Sequence, residues 1–241
     1  MTNYRRLPVK GLMNARDLGG FAVSGGVTKF GVFVRSDVPA DLTQEDKLLL
    51  KKYGLKSVVD FRSSKECSAK PDVLSCEAWV SYINIPIYDE AAAKGICISD
   101  KKFCWADHYI RMVESCRSWM REVITVLSKS ESCVLFHCAT GKDRTGLAAM
   151  ALLGLCGVSD YDIAADYSVS GIYLQPLCEK LLKEGKINSL DDPFFSTAPE
   201  NMLRLTAHIN KEYGGICSYL ESCGISKETL LSLKNRLVQK A

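Results

Sequence analysis

The chain has 241 residues, of which 47% are hydrophobic and 24% are charged. These values are ordinary for a soluble globular protein, and the length allows one substantial hydrophobic core, so we expect a single domain over residues 1–241. The formal net charge of +3 is too small to indicate nucleic acid as a partner. It leaves open a local basic site for an anionic ligand.

Eleven cysteines are scattered along the chain, with no CxxC pair and no His-rich cluster. This pattern favours reduced thiols over a disulfide framework or a zinc site. The first ten residues lack the apolar stretch of a signal peptide, and the apolar stretch 147–158 is too short to cross a bilayer. We therefore expect no integral membrane segment and a cytoplasmic location, and leave open export by a route that needs no signal peptide.

Short strands and helices alternate in the first part of the chain. Residues 21–23 and 32–34 are predicted as strands around a Gly25-Gly26 turn. Thr43 is expected to cap a helix that runs to Tyr53 and stops at Gly54. The further predicted elements are a strand over 55–61, a short helix over 63–69, a strand over 79–87, a long helix over 104–129 and a buried strand over 133–136. Residues 88–102 show no periodicity and are predicted as a loop or a short lid.

Helices dominate the second part of the chain. They are predicted over 147–156, 159–169, 174–184, 199–213 and 226–238. Alternating strands and helices followed by helices indicate an α/β fold. We expect a mostly parallel central sheet flanked by helices on both faces, with a helical C-terminal part.

The stretch HCATGKDRTG, residues 137–146, lies at the predicted junction of the strand 133–136 and the helix 147–156. A cysteine at the end of this strand faces a loop whose backbone N–H groups can converge on one point. The following helix adds its positive N-terminal end at the same point. Such a cradle fits a tetrahedral dianion, and this arrangement indicates a cysteine-dependent phosphatase.

Each residue type of the loop suits this chemistry. A cation and a helix N-terminus beside Cys138 favour the thiolate, which is the nucleophilic form. The planar guanidinium of Arg144 matches two phosphate oxygens, which a lysine could not copy. Gly141 lets the backbone pass close to the anion. Thr145 could donate its hydroxyl to the sulfur, and His137 is expected to hold the loop in shape.

The implied reaction has two covalent steps. Cys138 attacks phosphorus in line to give a cysteinyl-phosphate, and water then hydrolyses this intermediate. Positioning and charge stabilisation by the loop and Arg144 supply most of the rate enhancement. We expect no metal and no other cofactor, because the reaction needs none and no carboxylate cluster in the sequence indicates one.

The loop resembles the signature of the protein tyrosine phosphatase superfamily, and its Gly-Lys-Asp-Arg-Thr-Gly form is similar to the bacterial tyrosine and lipid phosphatase branch. Further stretches that resemble motifs of this branch are NARDLGG at 14–20, RSD at 35–37, DFRS at 60–63, APENM at 198–202 and YGG at 213–215. The resemblance spans nearly the whole chain, but only the loop is specific by itself.

This resemblance implies a phosphotyrosine phosphatase-like fold and assigns roles to loop residues. It implies that Cys138 is the nucleophile, Arg144 the phosphate-binding arginine and Asp143 the general acid. It also implies that Lys142 helps such enzymes to accept phosphoinositides. The expected partner is therefore a phosphorylated protein, above all one with phosphotyrosine, or a phosphoinositide. The residues expected to bind substrate are Ala139, Thr140, Gly141, Lys142 and Thr145 in the loop, together with Asp60.

The general acid has more than one candidate from the residues themselves. Asp60 ends a predicted parallel strand, at the edge where open α/β sheets bind ligands, so it could act as the acid or pair with Lys142 or Arg144. Asp89 and Asp107 are more simply interpreted as surface carboxylates. The charged residues Arg16, Asp17, Arg35 and Asp37 reach the site or form a buried ion-pair scaffold.

Two other functions stay open at this point. One is a phosphate-binding module that has lost turnover, because binding needs the loop but no proton donor. The other is a rhodanese-like sulfurtransferase, which the Cys-to-Arg spacing favours less. The sequence does not indicate an oligomeric state.

Overall fold

The computed structural model describes residue 3, residues 5–87 and residues 103–240. Its central sheet consists of β1 (Arg16–Asp17), β4 (Phe33–Ser36), β5 (Leu55–Asp60), β6 (Ser81–Asn84) and β7 (Cys133–His137). The strand order is β1-β4-β7-β5-β6. The last four of these run parallel to their neighbours, and β1 pairs antiparallel with β4 at one edge. The prediction of a mostly parallel sheet is confirmed.

A second, smaller sheet lies outside the central one. It contains β2 (Ala22–Val23), β3 (Gly26–Thr28) and β8 (Val238–Lys240), all antiparallel. The prediction that 21–23 and 32–34 flank the Gly25-Gly26 turn is wrong in its second half. Gly25 adopts φ +76°, and the chain turns back at once so that β3 pairs with β2. Residues 33–36 instead join the central sheet.

Nine α-helices are present in the described ranges. They are α1 (Gln44–Lys52), α2 (Ser64–Ala69), α3 (Trp105–Ser115), α4 (Arg117–Lys129), α5 (Asp143–Cys156), α6 (Asp160–Lys183), α7 (Pro199–Tyr213), α8 (Ile216–Ser222) and α9 (Lys227–Leu237), with short 3₁₀ turns at Val73–Cys76 and Pro193–Phe195. Thr43 caps α1 with a capping box, as predicted. None of these helices is both long and apolar enough to cross a membrane.

Both faces of the central sheet are buried. Side chains alternate along β7: Val134 and Phe136 join a large cluster formed with α3–α9, whereas Cys133 and Leu135 join a smaller cluster formed with the N-terminal segment and α1. This alternation is what a strand of period two produces between two covering layers. The helices on both faces confirm the predicted layers and fix the end of β7 in place.

Two helix predictions are wrong. The long helix predicted over 104–129 is broken at Cys116, whose φ of −103° and ψ of 36° separate α3 from α4. The two helices predicted over 159–169 and 174–184 form one helix, α6, with Pro176 inside it. A proline removes one helical hydrogen bond, and packing of α6 against α7 compensates for that loss. The predicted lid at 88–102 and Asp89 lie outside the described residues.

Candidate active site

The loop between β7 and α5, residues 138–144, is called here the Cys138 loop. Cys138 follows the last residue of β7, and only 2% of its surface is exposed. Gly141 adopts φ +71°, and a Cβ placed on it would lie 2.5 Å from the backbone carbonyl oxygen of Ser36. Only glycine meets both conditions without strain. The loop therefore turns tightly against the end of β4.

The carbonyl groups of the Cys138 loop are bound from outside the loop. The Cys138 carbonyl lies 3.0 Å from Nδ1 of His137, and the Ala139 carbonyl accepts from the N–H of Val38 at 3.2 Å. The Thr140 carbonyl accepts from Nδ2 of Asn14 at 2.9 Å, and the Gly141 carbonyl accepts from Nη2 of Arg35 at 2.8 Å. The carbonyl of Lys142 accepts from the N–H of Gly146 in α5 at 2.9 Å. Five successive carbonyls are thus held outward.

The amide N–H groups of residues 139–145 have no acceptor among the described residues. Because the carbonyls face outward, these donors are free to converge on the concave side of the loop, where α5 also begins. Oriented N–H groups and a helix N-terminus together attract an anion. The arrangement is an anion cradle with the Cys138 thiol at its base.

Arg144 is held at the cradle by Glu66. Its Nη1 donates to Oε2 of Glu66 at 2.8 Å and its Nη2 donates to Oε1 at 2.7 Å. Glu66 is itself fixed, because it forms the capping box of α2 with Ser63. Burial opposes ionisation of Glu66, but the hydrogen bonds and charge of Arg144 prevail and lower the pKa of Glu66 to about 2. The guanidinium is positioned by a permanently charged partner.

Asp143 is the first residue of α5 and contacts two side chains. Its Oδ1 accepts a short hydrogen bond from the hydroxyl of Tyr109 and lies 3.4 Å from Nζ of Lys142. Within the described parts of the chain, Oδ2 has no hydrogen-bond partner. One carboxylate oxygen is therefore anchored while the other can meet a substrate.

Lys142 is almost completely buried and points away from solvent. Its Nζ donates to the carbonyls of Phe194 (2.6 Å) and Ser196 (3.2 Å) and lies 3.9 Å from the ring centre of Trp105. Burial lowers the pKa of Lys142, although the charge of Asp143 opposes the shift. We call residues 193–197 the strap, because their carbonyls receive these contacts. The lysine ties the Cys138 loop to the strap.

Asp60 pairs with Arg62 instead of with Lys142 or Arg144. Arg62 donates to it through Nη2 at 2.7 Å, and the Tyr82 hydroxyl donates at 2.7 Å. Burial alone would raise the pKa of Asp60, but the hydrogen bond from Arg62 brings it below its ordinary value. Asp60 thus supports the sheet edge below the loop.

The ring of His137 links the loop to the rest of the sheet edge. Its Nε2 lies 3.0 Å from Asp72 and 3.6 Å from Asp60. Asp60, Asp72 and His137 are also the described residues whose ligand atoms lie close enough together to hold a metal ion. Both carboxylate oxygens of Asp60 already accept hydrogen bonds from Arg62, and one also accepts from Tyr82.

Two of the charged residues considered near the N-terminus, Arg16 and Arg35, form a scaffold centred on Asp166. Arg16 donates to Asp166 at 2.9 Å and Arg35 donates at 2.5 Å, and all three side chains are buried. Burial raises the pKa of Asp166, but the two arginines overcome this effect and lower it to about 2. Burial and the charge of Arg35 lower the pKa of Arg16 to about 10. Of these residues, Arg35 also contacts the Cys138 loop.

The acidic residues Asp17, Asp37 and Asp107 have other partners. Asp17 accepts from the N–H groups of Gly19 and Gly31 and from the Tyr53 hydroxyl. Asp37 accepts from the N–H groups of Met13 and Asn14, so it shapes the segment that reaches Thr140. Asp107 forms an exposed ion pair with Arg204, in line with its interpretation as a surface carboxylate.

Two observations concern hydroxyl and thiol groups. The Thr145 hydroxyl is fully buried and has no hydrogen-bond partner within the described part of the chain. The ten described cysteines are all free thiols. A buried hydroxyl without a partner carries a cost unless a further group satisfies it, and Thr145 lies at the cradle.

Comparison with known proteins identifies the family. The sequence model of the tyrosine phosphatase family matches residues 7–239. The chain belongs to this family.

Two known sequences and one solved structure are similar to this chain. The chain is 28% identical over 220 residues to a tyrosine-protein phosphatase of Nostoc commune, covering 86% of this chain and 74% of that protein. It is 32% identical over 169 residues to a Cupriavidus necator protein provisionally named a tyrosine-protein phosphatase, covering 65% of this chain and 59% of that protein. A crystal structure of TpbA from P. aeruginosa is similar with a TM-score of 0.38 and 16% identity, covering 80% of this chain and 87% of that one.

Three residues of this tyrosine phosphatase site escaped the sequence-based predictions. Glu66 follows Ser63 at capping-box spacing, a signal that predicts a helix start but not an arginine partner. Tyr109 and Asp166 lie in the interior of the helices α3 and α6. Nothing local marks either one, because their partners lie far away in the chain.

Proposed function

We propose that this protein is a single-domain, cysteine-dependent phosphatase that hydrolyses phosphotyrosine in proteins. The observation that carries the proposal is the cradle itself. The loop carbonyls are turned outward, the amides of residues 139–145 are left free, Cys138 lies at the base and Arg144 is fixed by Glu66. These groups match the charge and shape of a phosphate dianion.

In the proposed first step, the Cys138 thiolate attacks phosphorus and forms an S–P bond while the P–O bond to the tyrosine breaks. The loop amides and Arg144 bind the three equatorial oxygens, on which charge accumulates. Oδ2 of Asp143 gives its proton to the departing phenolate oxygen. The free position of Oδ2 supports this role.

In the proposed second step, water attacks the cysteinyl-phosphate and the S–P bond breaks. The Asp143 carboxylate takes the proton that the water loses, and Cys138 leaves as the thiolate. The unpartnered Thr145 hydroxyl donates to the sulfur as its charge returns. A reduced thiol is needed in each cycle, so we place the protein in the cytoplasm, where disulfides are rare.

The contacts of Lys142 bear on the choice of substrate. A lysine that selects phosphoinositides must reach an additional phosphate of the inositol ring. Here its ammonium group is buried and donates to two carbonyls of the strap. This arrangement favours a phosphotyrosine substrate, which needs no second phosphate site, and the name of the Nostoc commune relative supports the same class.

The nucleophile is tested with Cys138→Ser and the exposed-thiol control Cys217→Ser. We expect Cys138→Ser to abolish release of phosphate from an aryl phosphate and from phosphotyrosine peptides, and Cys217→Ser to retain wild-type turnover. Acid quenching of the wild-type enzyme during turnover should trap one phosphate on Cys138, found by mass spectrometry. Wild-type turnover in Cys138→Ser would refute the proposal.

The substrate class is tested by a parallel panel of phosphotyrosine peptides and phosphoinositides. We expect turnover of the peptides and phosphate release at background from the lipids. Turnover confined to the lipids would show that phosphoinositides are the substrate class, and the proposed mechanism would still apply. A single burst of phosphate capture without further release would identify a binding module in place of an enzyme.

A further inference from the structure

Two chains of polar contacts run from Asp143 to the same atom. One runs from Oδ1 through an ion pair with Nζ of Lys142 (3.4 Å) and then a hydrogen bond to the Ser196 carbonyl (3.2 Å). The other runs from Oδ1 through the Tyr109 hydroxyl, which donates to it, to the Tyr167 hydroxyl at 2.8 Å. The single proton of Tyr167 can be donated either to Tyr109 or to the Ser196 carbonyl, which lies 3.3 Å away. Asp143, α3, α6 and the strap thus form a closed ring of contacts.

The two tyrosines of this ring of contacts are buried, so they can fix the orientation of Asp143. Tyr109 and Tyr167 are 0% and 1% exposed, with their rings edge to face at 5.9 Å between centroids. Burial first, and then the charge of Asp143, raises the pKa of Tyr109 well above its ordinary value, so its hydroxyl remains a donor. Because core packing fixes the Tyr109 hydroxyl, its hydrogen bond also fixes Oδ1 of Asp143.

The strap is attached at further points. Trp105 donates from Nε1 to the Pro193 carbonyl at 2.7 Å, and Thr197 donates to the Ser168 carbonyl at 3.2 Å. The carbonyl of Ser196 is therefore held in place independently of the ring. This gives both chains of contacts a rigid end.

We propose that Tyr109 is a positioning residue for the general acid: with Tyr167 and the strap, it holds Oδ1 of Asp143 so that Oδ2 points at the leaving-group oxygen. This inference rests on the proposed role of Asp143. A general acid contributes only when its proton lies within hydrogen-bond reach of the departing oxygen. Tyr109 is completely buried and acts through Asp143.

The test compares two aryl phosphates that differ in their need for a proton. Phenyl phosphate has a basic leaving group, whereas 2,4-dinitrophenyl phosphate has one acidic enough to depart unprotonated. We expect Tyr109→Phe to lower kcat/KM for phenyl phosphate by about 10-fold, a part of the 10²–10⁴ typical of a general acid. We expect kcat/KM for the dinitrophenyl ester to stay within about 2-fold of wild type, because kcat/KM reports the first covalent step and this leaving group departs without a proton.

The matched control is Tyr213→Phe. Tyr213 also donates its hydroxyl to a carboxylate, Oε2 of Glu114 at 2.6 Å, but it lies on α7 outside the ring. This variant should match wild type on both esters. Tyr167→Phe, which removes the next hydroxyl of the same chain, should show a smaller selective loss than Tyr109→Phe and gives a second measurement if Tyr109→Phe fails to fold.

A double variant separates positioning from a structural role. If Tyr109 acts through Asp143, adding Tyr109→Phe to Asp143→Asn should cause little further loss on phenyl phosphate. Equal losses on both esters, or a full additional loss in the double variant, would overturn the inference. If Asp143→Asn itself leaves both esters unaffected, the failure lies in the acid assignment of the proposed function. A selective loss in Asp143→Asn with none in either tyrosine variant rejects the positioning role alone.

Discussion

The Glu66 carboxylate accepts hydrogen bonds from both terminal nitrogens of the Arg144 guanidinium, with N–O distances of 2.8 and 2.7 Å. Nη1 also donates to the carbonyl of Phe61 at 3.4 Å, so the second N–H of Nη2, together with Nε, is left for the phosphate. These contacts fix the Arg144 side chain before substrate binds. Substrate binding therefore does not have to supply the conformational entropy lost in ordering this side chain.

Glu66→Gln tests this relationship. Glutamine keeps the shape and can still complete the capping box of α2, but it replaces one charged contact by a neutral one. Since a hydrogen bond to a charged group contributes about 1.5–3 kcal/mol, we expect kcat/KM for an aryl phosphate to fall by about 10-fold or more. Steady-state kinetics measure this, with Glu77→Gln, a change in an ion pair to Lys47, as the control. Unchanged kcat/KM would show that the loop orients Arg144 without Glu66.

Gly141→Ala should collapse the cradle. The new Cβ would combine a left-handed backbone at φ +71° with a 2.5 Å approach to the Ser36 carbonyl oxygen. We expect the free energy of unfolding to fall by about 3 kcal/mol, from backbone strain and overpacking together, and turnover to drop to background. Urea unfolding and phosphatase assays measure the two effects.

Gly185 provides the matched control for that substitution. It adopts φ +67°, and a Cβ there would meet nothing within 4 Å. Gly185→Ala should therefore cost only the backbone strain, about 1 kcal/mol, with normal turnover. Equal losses in the two variants would mean that the contact with Ser36 contributes nothing.

Asp166→Asn should destabilise the protein strongly at neutral pH, because it leaves Arg16 and Arg35 buried without their counter-charge. Breaking a buried ion pair in this way costs about 3–5 kcal/mol. Urea unfolding at pH 7 measures the loss, and Glu179→Gln, on the exposed side of α6, should cost almost nothing. A loss as small as that of the control would contradict the scaffold role.

The pH dependence of the same variant follows from linkage. The pKa of Asp166 is about 2 in the folded protein against an ordinary value of 3.8, so its ionised form stabilises the fold above about pH 4. That contribution is lost as the pH falls from about 4 to about 2. The difference in unfolding free energy between wild type and Asp166→Asn should shrink over this window. A difference that grew towards low pH would have the wrong sign.

Lys142→Met should loosen the strap. Methionine can keep the apolar contact with Trp105, but it leaves the carbonyls of Phe194 and Ser196 without a charged donor. Losing a charge-assisted hydrogen bond of about 1.5 kcal/mol or more should raise the rate of chymotrypsin cleavage after Phe194 or Phe195 at least about 10-fold. Lys180→Met, on the exposed surface of α6, serves as control. Cleavage no faster than in wild type would show that other contacts hold the strap.

Much of the fold was predictable because its signals are local. The apolar run of β7, the helix cap at Thr43 and the helix that ends at Tyr213 all depend on neighbouring residues. The Cys138 loop was predictable for the same reason, since its chemistry lies within ten consecutive residues. What surrounds the loop was not, because Asn14, Arg35 and Glu66 come from three distant segments.

The failures have a common physical cause in tertiary packing. A proline such as Pro176 usually ends a helix, but α6 continues past it because α6 packs against α7. The break at Cys116 has no proline or glycine to announce it. The strand β8 has only three residues, and its pairing with Thr28 is visible only once the chain has folded back. Asp166 gains its importance from Arg16, far away in sequence.

The outward-facing carbonyls of the Cys138 loop have a consequence for protein engineering. The groups that hold them, from Asn14 to Val38, belong to the N-terminal part of the chain, and His137 belongs to the strand. Grafting the ten residues of the motif onto another strand–helix junction would transfer the thiol and the arginine but not the orientation of the amides. A functional graft would have to carry β4 and the segment before β1 as well, so the smallest transferable unit of this chemistry is a tertiary assembly rather than a peptide.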